Sequence, residues 1–173
     1  MKNNQNPTNS TAHPLMLAIK YLSYQPRTTY EIKKYLDNKD FNIDITRQVI
    51  ATLMEKNYIN DKNYAQIFIE TMVNNRPRSK YAIGFALKKK GIDLSIFEPF
   101  LEQYDDYSLA IKAVTPKIKI WNNLDMEKFK KKLMNFLQYR GFNYGTCMAA
   151  LNHFKKNYHG HAMDTNSGGK YEN

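Results

Sequence analysis

Residues 83–92, IGFALKKKGI, carry the same pattern as residues 32–41, IKKYLDNKDF, and residues 133–142, LMNFLQYRGF. Anchoring on Ile32, Ile83 and Leu133, which stand 51 and 50 residues apart, puts Leu36, Leu87 and Leu137 four residues on and Phe41, Ile92 and Phe142 nine residues on. Beyond these, Val49–Ile50, Phe100–Leu101 and Ala150–Leu151 fall into register, followed by Leu53, Tyr104 and Phe154. Upstream, Pro26-Arg27-Thr28 matches Pro77-Arg78-Ser79, and Leu22 matches Val73. The i, i+4 and i, i+1, i+4 spacings are single helical stripes, so every repeat holds two amphipathic helices. A period of this length marks a tandem array in which each unit buries its stripe on its neighbours.

A third helix precedes each pair, and the spacing predicts it over 15–24, 61–74 and 107–114. Thr28 with Glu31 three residues later forms a capping box, and Ser79 occupies the equivalent N-cap. Asn60 or Asp61 caps the following helix, and Asp105–Asp106 recur at the next junction. Gly91 and Gly141 stand where the middle helices of repeats two and three must stop, while Asn38, Lys39 and Asp40 do this work in repeat one without a glycine. In the third repeat a long connection, TPKIKIWNNLD, separates the first helix from the second. The expected fold is therefore all-α, an elongated array of three tandem three-helix repeats with about nine helices. The expected boundaries are a disordered tail over 1–13, repeats over 14–59, 60–105 and 106–159, and a second disordered tail over 160–173, where small polar residues lack apolar periodicity.

Composition agrees with helices. Apolar residues make up 42% of the 173, enough to build a core despite a mean hydropathy of -0.66. Only 7 Gly and 6 Pro occur, too few for the turns of a β-barrel or sandwich. One cysteine, Cys147, excludes a disulfide framework and any cysteine-rich metal centre. With no signal-like apolar stretch and no run of membrane-spanning length, a cytoplasmic protein without a membrane partner is expected. Enzymatic readings find little support. His13, His153, His159 and His161 form no metal-binding pair, Cys147 has no activating neighbour in sequence, and no phosphate-binding glycine loop is present. Neither a metal nor a cofactor is expected.

Four stretches then carry a resemblance. YLSYQPRTTYEIKKYL (21–36), NYINDKNYAQIF (57–68), RPRSKYAIGFALKKKGI (76–92) and KLMNFLQYRGFNY (132–144) occur in the order found in RecX regulatory proteins, which the chain resembles over about residues 15 to 155. The most specific pieces are Tyr58-Ile59-Asn60-Asp61, Arg76-Pro77-Arg78-Ser79-Lys80, and Phe136-Leu137 with Arg140-Gly141-Phe142. Asn57 stands where the family often has Gly, and Phe85 and Ala86 replace more polar residues. The resemblance implies a non-catalytic bacterial protein of tandem three-helix repeats that binds the RecA recombinase filament on single-stranded DNA and restrains it. A monomer is expected.

The net charge of +10 calls for a polyanionic or acidic partner. Residues 106–159 hold 10 basic and 3 acidic side chains, whereas 14–59 hold 7 and 5, and 60–105 hold 7 and 6. Basic residues recur on each middle helix: Lys33 and Lys34, then Lys88, Lys89 and Lys90, then Lys128, Lys130, Lys131 and Lys132 with Arg140. In a curved array they would form a stripe. Arg27, Arg76, Arg78 and Lys80 surround the proline turns that enter the middle helices, placing donors beside helix N-termini. These residues are the candidate contacts to a RecA filament or to single- or double-stranded DNA. The competing reading of each run is a solvated helix face. Tyr35, Phe41, Phe68, Phe100, Phe136 and Phe142 sit at stripe positions and are expected in the core, whereas Tyr21, Tyr24, Tyr30, Tyr81 and Tyr139 are open to an interfacial role. A direct DNA-binding protein using the basic third repeat is the alternative to a filament regulator.

Overall fold

The computed structural model describes residues 11–121 and 123–156, and among these every regular element is an α-helix. The first repeat contains α1 (Ala12–Leu22), α2 (Thr29–Asp37) and α3 (Ile43–Glu55); the second α4 (Asp61–Asn75), α5 (Lys80–Lys89) and α6 (Leu94–Leu101); the third α7 (Asp106–Trp121), α8 (Met126–Tyr139) and α9 (Tyr144–Lys155). The expected tail over 160–173 and residues 1–10 of the other lie outside the described residues. α1 begins at Ala12, so Ala12 and His13 are helical and not part of a tail.

Each middle helix is set by the stripe read from the sequence. Ile32, Leu36, Leu87, Leu133 and Leu137 are completely inaccessible to solvent and Ile83 nearly so. Side-chain caps start the helices. Thr28 closes a capping box with Glu31 on α2, and the Ser79 hydroxyl accepts from the Ala82 N–H at 3.1 Å on α5. Asn42, Asp93 and Asn143, each directly after the third apolar residue of its repeat, cap α3, α6 and α9. The stops are equally local. Gly91 and Gly141 take positive φ (74° and 85°), and Asp40 takes φ 61° at the corresponding place in repeat one. Asn57 likewise has φ 55°, which accounts for an Asn where a Gly would serve, since its short polar side chain tolerates the left-handed region.

The third repeat corrects the sequence reading. The stretch expected as a connection from Thr115 is helical as far as Trp121, with Pro116 inside α7. Trp121 is almost fully buried and stands edge-on to Phe129 and Phe136 of α8, with centroids 6.4 and 5.4 Å away. That aromatic anchor offsets the hydrogen bond that proline cannot donate.

By packing, the chain divides into two units. One takes in the residues up to Asn75 together with Ile83–Gln103, and the other Arg76–Ala82 together with the residues from Tyr104. In the first unit α1 and α2 pack on α3, and α4 on α6; in the second α7 and α8 pack on α9. The boundary falls inside α5, because backbone groups of its first turn bond to the third repeat: Ser79 N–H to the Arg140 carbonyl at 3.1 Å, and Lys80 N–H to Asp106 Oδ1 at 2.7 Å.

Candidate binding surface at the repeat junctions

The turns entering α2 and α5 build two closely related joints. In the first unit Thr28 Oγ1 donates to the carbonyl of Lys90, the residue before Gly91, at 2.7 Å. Asp61 Oδ1 accepts from the Thr29 N–H at 2.8 Å. In the second unit the Ser79 N–H meets the carbonyl of Arg140, the residue before Gly141, and Asp106 accepts from the Lys80 N–H. Asp61 and Asp106 therefore cap the middle helix of the preceding repeat. Their own helices are served by Asn60, bonded to the Asn63 N–H at 3.0 Å, and by Asp105, bonded to the Ser108 N–H at 2.8 Å. The glycines leave room for this joint. A Cβ on Gly141 would lie 2.7 Å from Ala82 Cβ and 2.8 Å from Ser79 Oγ, and one on Gly91 would run into Tyr30.

The two joints differ in charge. At the first, Glu31 Oε1 receives Lys90 Nζ at 2.9 Å and stands 3.9 Å from Arg27 Nη1, while Arg27 lies over the Tyr21 ring at 4.1 Å. Burial by itself would raise the pKa of Glu31. The Thr28 amide, the Lys90 bond and the charges of Lys90 and Arg27 together outweigh it and hold the carboxyl below its ordinary value. For Lys90, burial acts downward, and the Tyr64 and Glu31 interactions outweigh it to raise the pKa. Arg27 and Lys90, candidates from sequence for partner contact, are thus tied into an internal network.

At the second joint Ala82 occupies the place of Glu31, 51 residues on. Arg140, in the place of Lys90, has no carboxylate to meet. Its Nη1 donates to the Pro77 carbonyl at 3.0 Å and its head lies over Phe136 at 4.4 Å. Burial first, and then the charges of Arg78 and Arg76, lower its pKa. Among the described residues no ion pair engages Arg76, Arg78 or Lys80. Arg76 is exposed, and Arg78 and Lys80 are half-buried.

The lysine runs are less organised. Lys33, Lys34, Lys88, Lys89, Lys130, Lys131 and Lys132 are all exposed, yet successive helical residues point about 100° apart, so each run sweeps around the open side of its helix instead of forming one row. Lys34 and Lys89 line one shallow cavity of about 360 Å³ in the first unit with Tyr21 and Tyr35. Lys128 pairs with Asp125 at 2.7 Å. Of the aromatics expected in the core, Phe142 is buried and Tyr35, Phe41, Phe68, Phe100 and Phe136 are half-buried. Tyr24, Tyr81 and Tyr139 are widely exposed. Neither the charge asymmetry of the joints nor these exposures was legible beforehand; the Ala82-for-Glu31 exchange in the aligned repeats was the available signal.

Among the described residues no cluster of His, Cys, Asp or Glu is placed to hold a metal ion, and Cys147 is buried with its thiol toward the Phe142 carbonyl. No described helix is long and apolar enough to cross a membrane.

Two family models match the chain: the first three-helix domain of RecX over residues 16–53 and the third over residues 104–151. A RecX regulatory protein of Streptococcus agalactiae is 38% identical over 130 residues, covering 74% of this chain and 50% of that protein. One from Finegoldia magna is 35% identical over 133 residues, covering 74% and 65%. The chain belongs to the RecX family. The crystal structure of RecX from Lactobacillus salivarius superposes with a TM-score of 0.69 at 28% identity, over 84% of this chain and 97% of that one. The RecX match at both ends of the helical region fits the tandem three-helix repeats described above. The chain spans about half the length of the Streptococcus agalactiae relative it matches.

Proposed function

We propose that this chain binds the RecA filament on single-stranded DNA and restrains it, lowering ATP turnover, filament growth and strand exchange. It acts in the cytoplasm, as a monomer, by occupancy and not by catalysis. The reading is carried by the match to both the first and the third RecX domain in a chain whose third repeat bears most of a +10 surplus. The candidate contacts are the exposed Lys33, Lys34, Lys88, Lys89, Lys130, Lys131 and Lys132 and the arginines of the second joint. Arg27, Lys90 and Lys128 contribute through the positions they give their neighbours, being engaged in internal ion pairs.

The test is RecA ATPase on single-stranded DNA with added wild-type chain and with Lys130, Lys131 and Lys132 all changed to Glu. Wild type should suppress turnover, and the triple variant should suppress it less while keeping its helical circular dichroism. Full turnover in the presence of saturating wild-type chain would refute the reading. A second reading, direct binding to DNA through the third repeat, is favoured by its exposed Lys130, Lys131 and Lys132. Phosphate contacts weaken steeply with salt, and an interface with an apolar centre does so less, so a salt titration of filament binding against DNA binding separates the two.

A further inference from the structure

We propose that the second repeat joint is a contact for single-stranded nucleic acid, in which Arg76, Arg78 and Arg140 take backbone phosphates and the exposed ring of Tyr139 stacks on a base.

The first joint supplies the control within the molecule. An equivalent turn, a bond from its hydroxyl residue to the carbonyl before the glycine, and the same glycine stop are present there, but Glu31 neutralises Lys90 and Arg27. A joint of this design therefore has no structural need for excess charge. At the second joint Ala82 replaces the acid, Arg78 stands where Arg27 does, and one further arginine, Arg76, replaces Gln25, while the bond from Arg140 to the Pro77 carbonyl sets its guanidinium beside the Arg76–Arg78 turn. Arg140 is oriented by the Pro77 carbonyl and by Phe136, which fixes a planar donor at small entropic cost. Asp106 at this joint is taken up by the Lys80 N–H, and guanidinium groups with no carboxylate paired to them are suited to phosphates.

The aromatic evidence decides for single strands. Tyr139, next to Arg140 in the chain, is 85% exposed. A tyrosine this open buries little apolar surface in the fold. Beside a cationic cluster it offers a flat face to an unpaired base, which a duplex keeps within its own stack.

This inference deepens the filament reading by naming where nucleic acid would be touched, and its binding test needs no recombinase. Fluorescence anisotropy of a labelled oligothymidylate measures binding to the full chain across a salt series, with a duplex of equal length and polyglutamate as competitors. Arg76→Gln with Arg78→Gln should weaken binding about tenfold near 0.1 M salt and flatten the log–log salt slope by about 0.7 per arginine. Tyr139→Leu should weaken it about tenfold, and Tyr139→Phe should restore it. Ala82→Glu, which supplies the acid found at the first joint, should mimic the double arginine variant; the exposed Arg76 and Tyr139 changes keep the test valid if Ala82→Glu unfolds. Unchanged oligothymidylate affinity in the arginine and Tyr139→Leu variants overturns the proposal. So does polyglutamate or duplex competing as well as the single strand, which would assign the joint to an acidic protein or to paired DNA. Loss of oligothymidylate binding with filament inhibition intact would leave this proposal standing and count against the DNA route to inhibition; inhibition lost from wild-type chain that still binds oligothymidylate would count against the filament reading alone.

Discussion

The joint between α2 and the end of α5 and the joint between α5 and the end of α8 share a backbone plan and differ in charge and in the donor, which is the Thr28 hydroxyl at the first and the Ser79 N–H at the second. Both place a hydroxyl residue before a middle helix, bond it to the residue preceding a left-handed glycine, and satisfy the next N–H with an aspartate from the following helix. Only the first contains a carboxylate for its cations. Backbone geometry is thus held constant by the needs of repeat packing, while the surface charge is free to vary, because a half-exposed charge costs little in water. The difference separates a structural lock from a surface with unspent positive charge.

The largest effect should fall on what the joints share. Leu36→Ala, Leu87→Ala and Leu137→Ala each remove a fully buried side chain, and each should cost about 2–5 kcal/mol in urea unfolding. If one of them unfolds at the wild-type midpoint, the repeats are not equivalent. Next come the glycines. Gly91→Ala and Gly141→Ala put a Cβ at positive φ against Tyr30 and against Ala82 and Ser79, so both should lose about 1–3 kcal/mol. A neutral result at either would break the comparison at its backbone level.

A change of similar size at one joint alone sharpens the contrast. Glu31→Gln should cost about 2 kcal/mol, as removal of a hydrogen-bonded charge does, whereas Ala82 offers no counterpart to remove. The sign with pH follows. A carboxyl held below its usual pKa stabilises the fold above the unfolded value near 4.5, and this contribution is lost as pH falls through the folded value. Lys90, held above 10.5, contributes below that pH and loses its effect as pH rises through the folded value. Thermal melts of wild type should therefore be more acid-sensitive than those of Glu31→Gln between about pH 5 and 3. Equal acid sensitivity would show the Glu31 network to be without energetic effect.

Much of the architecture was readable because it is periodic. Ile32, Leu36 and their equivalents declare their burial by spacing, and Thr28, Ser79 and the two glycines declare the helix ends by local chemistry that needs no distant partner. The reading failed where a distant partner decides. α7 passes through Pro116 because Trp121 finds Phe129 and Phe136, and propensity alone argues for a break there. The site was less legible than the fold. A lysine looks the same in sequence whether it is exposed like Lys89 or tied to Glu31 like Lys90.

By itself the sequence determined the helices, their number per repeat, the buried stripe and the sign of the charge, since each depends on residues within a few positions of one another or on composition. Tertiary structure alone decided which helix Asp61 and Asp106 cap and which cations are already spoken for. It also decided that Arg140 donates to the carbonyl of Pro77, between Arg76 and Arg78, while Glu31 closes the other joint. Hydrogen bonds and ion pairs act over a few ångströms in space, and across 26 to 63 residues of chain only the fold makes such neighbours.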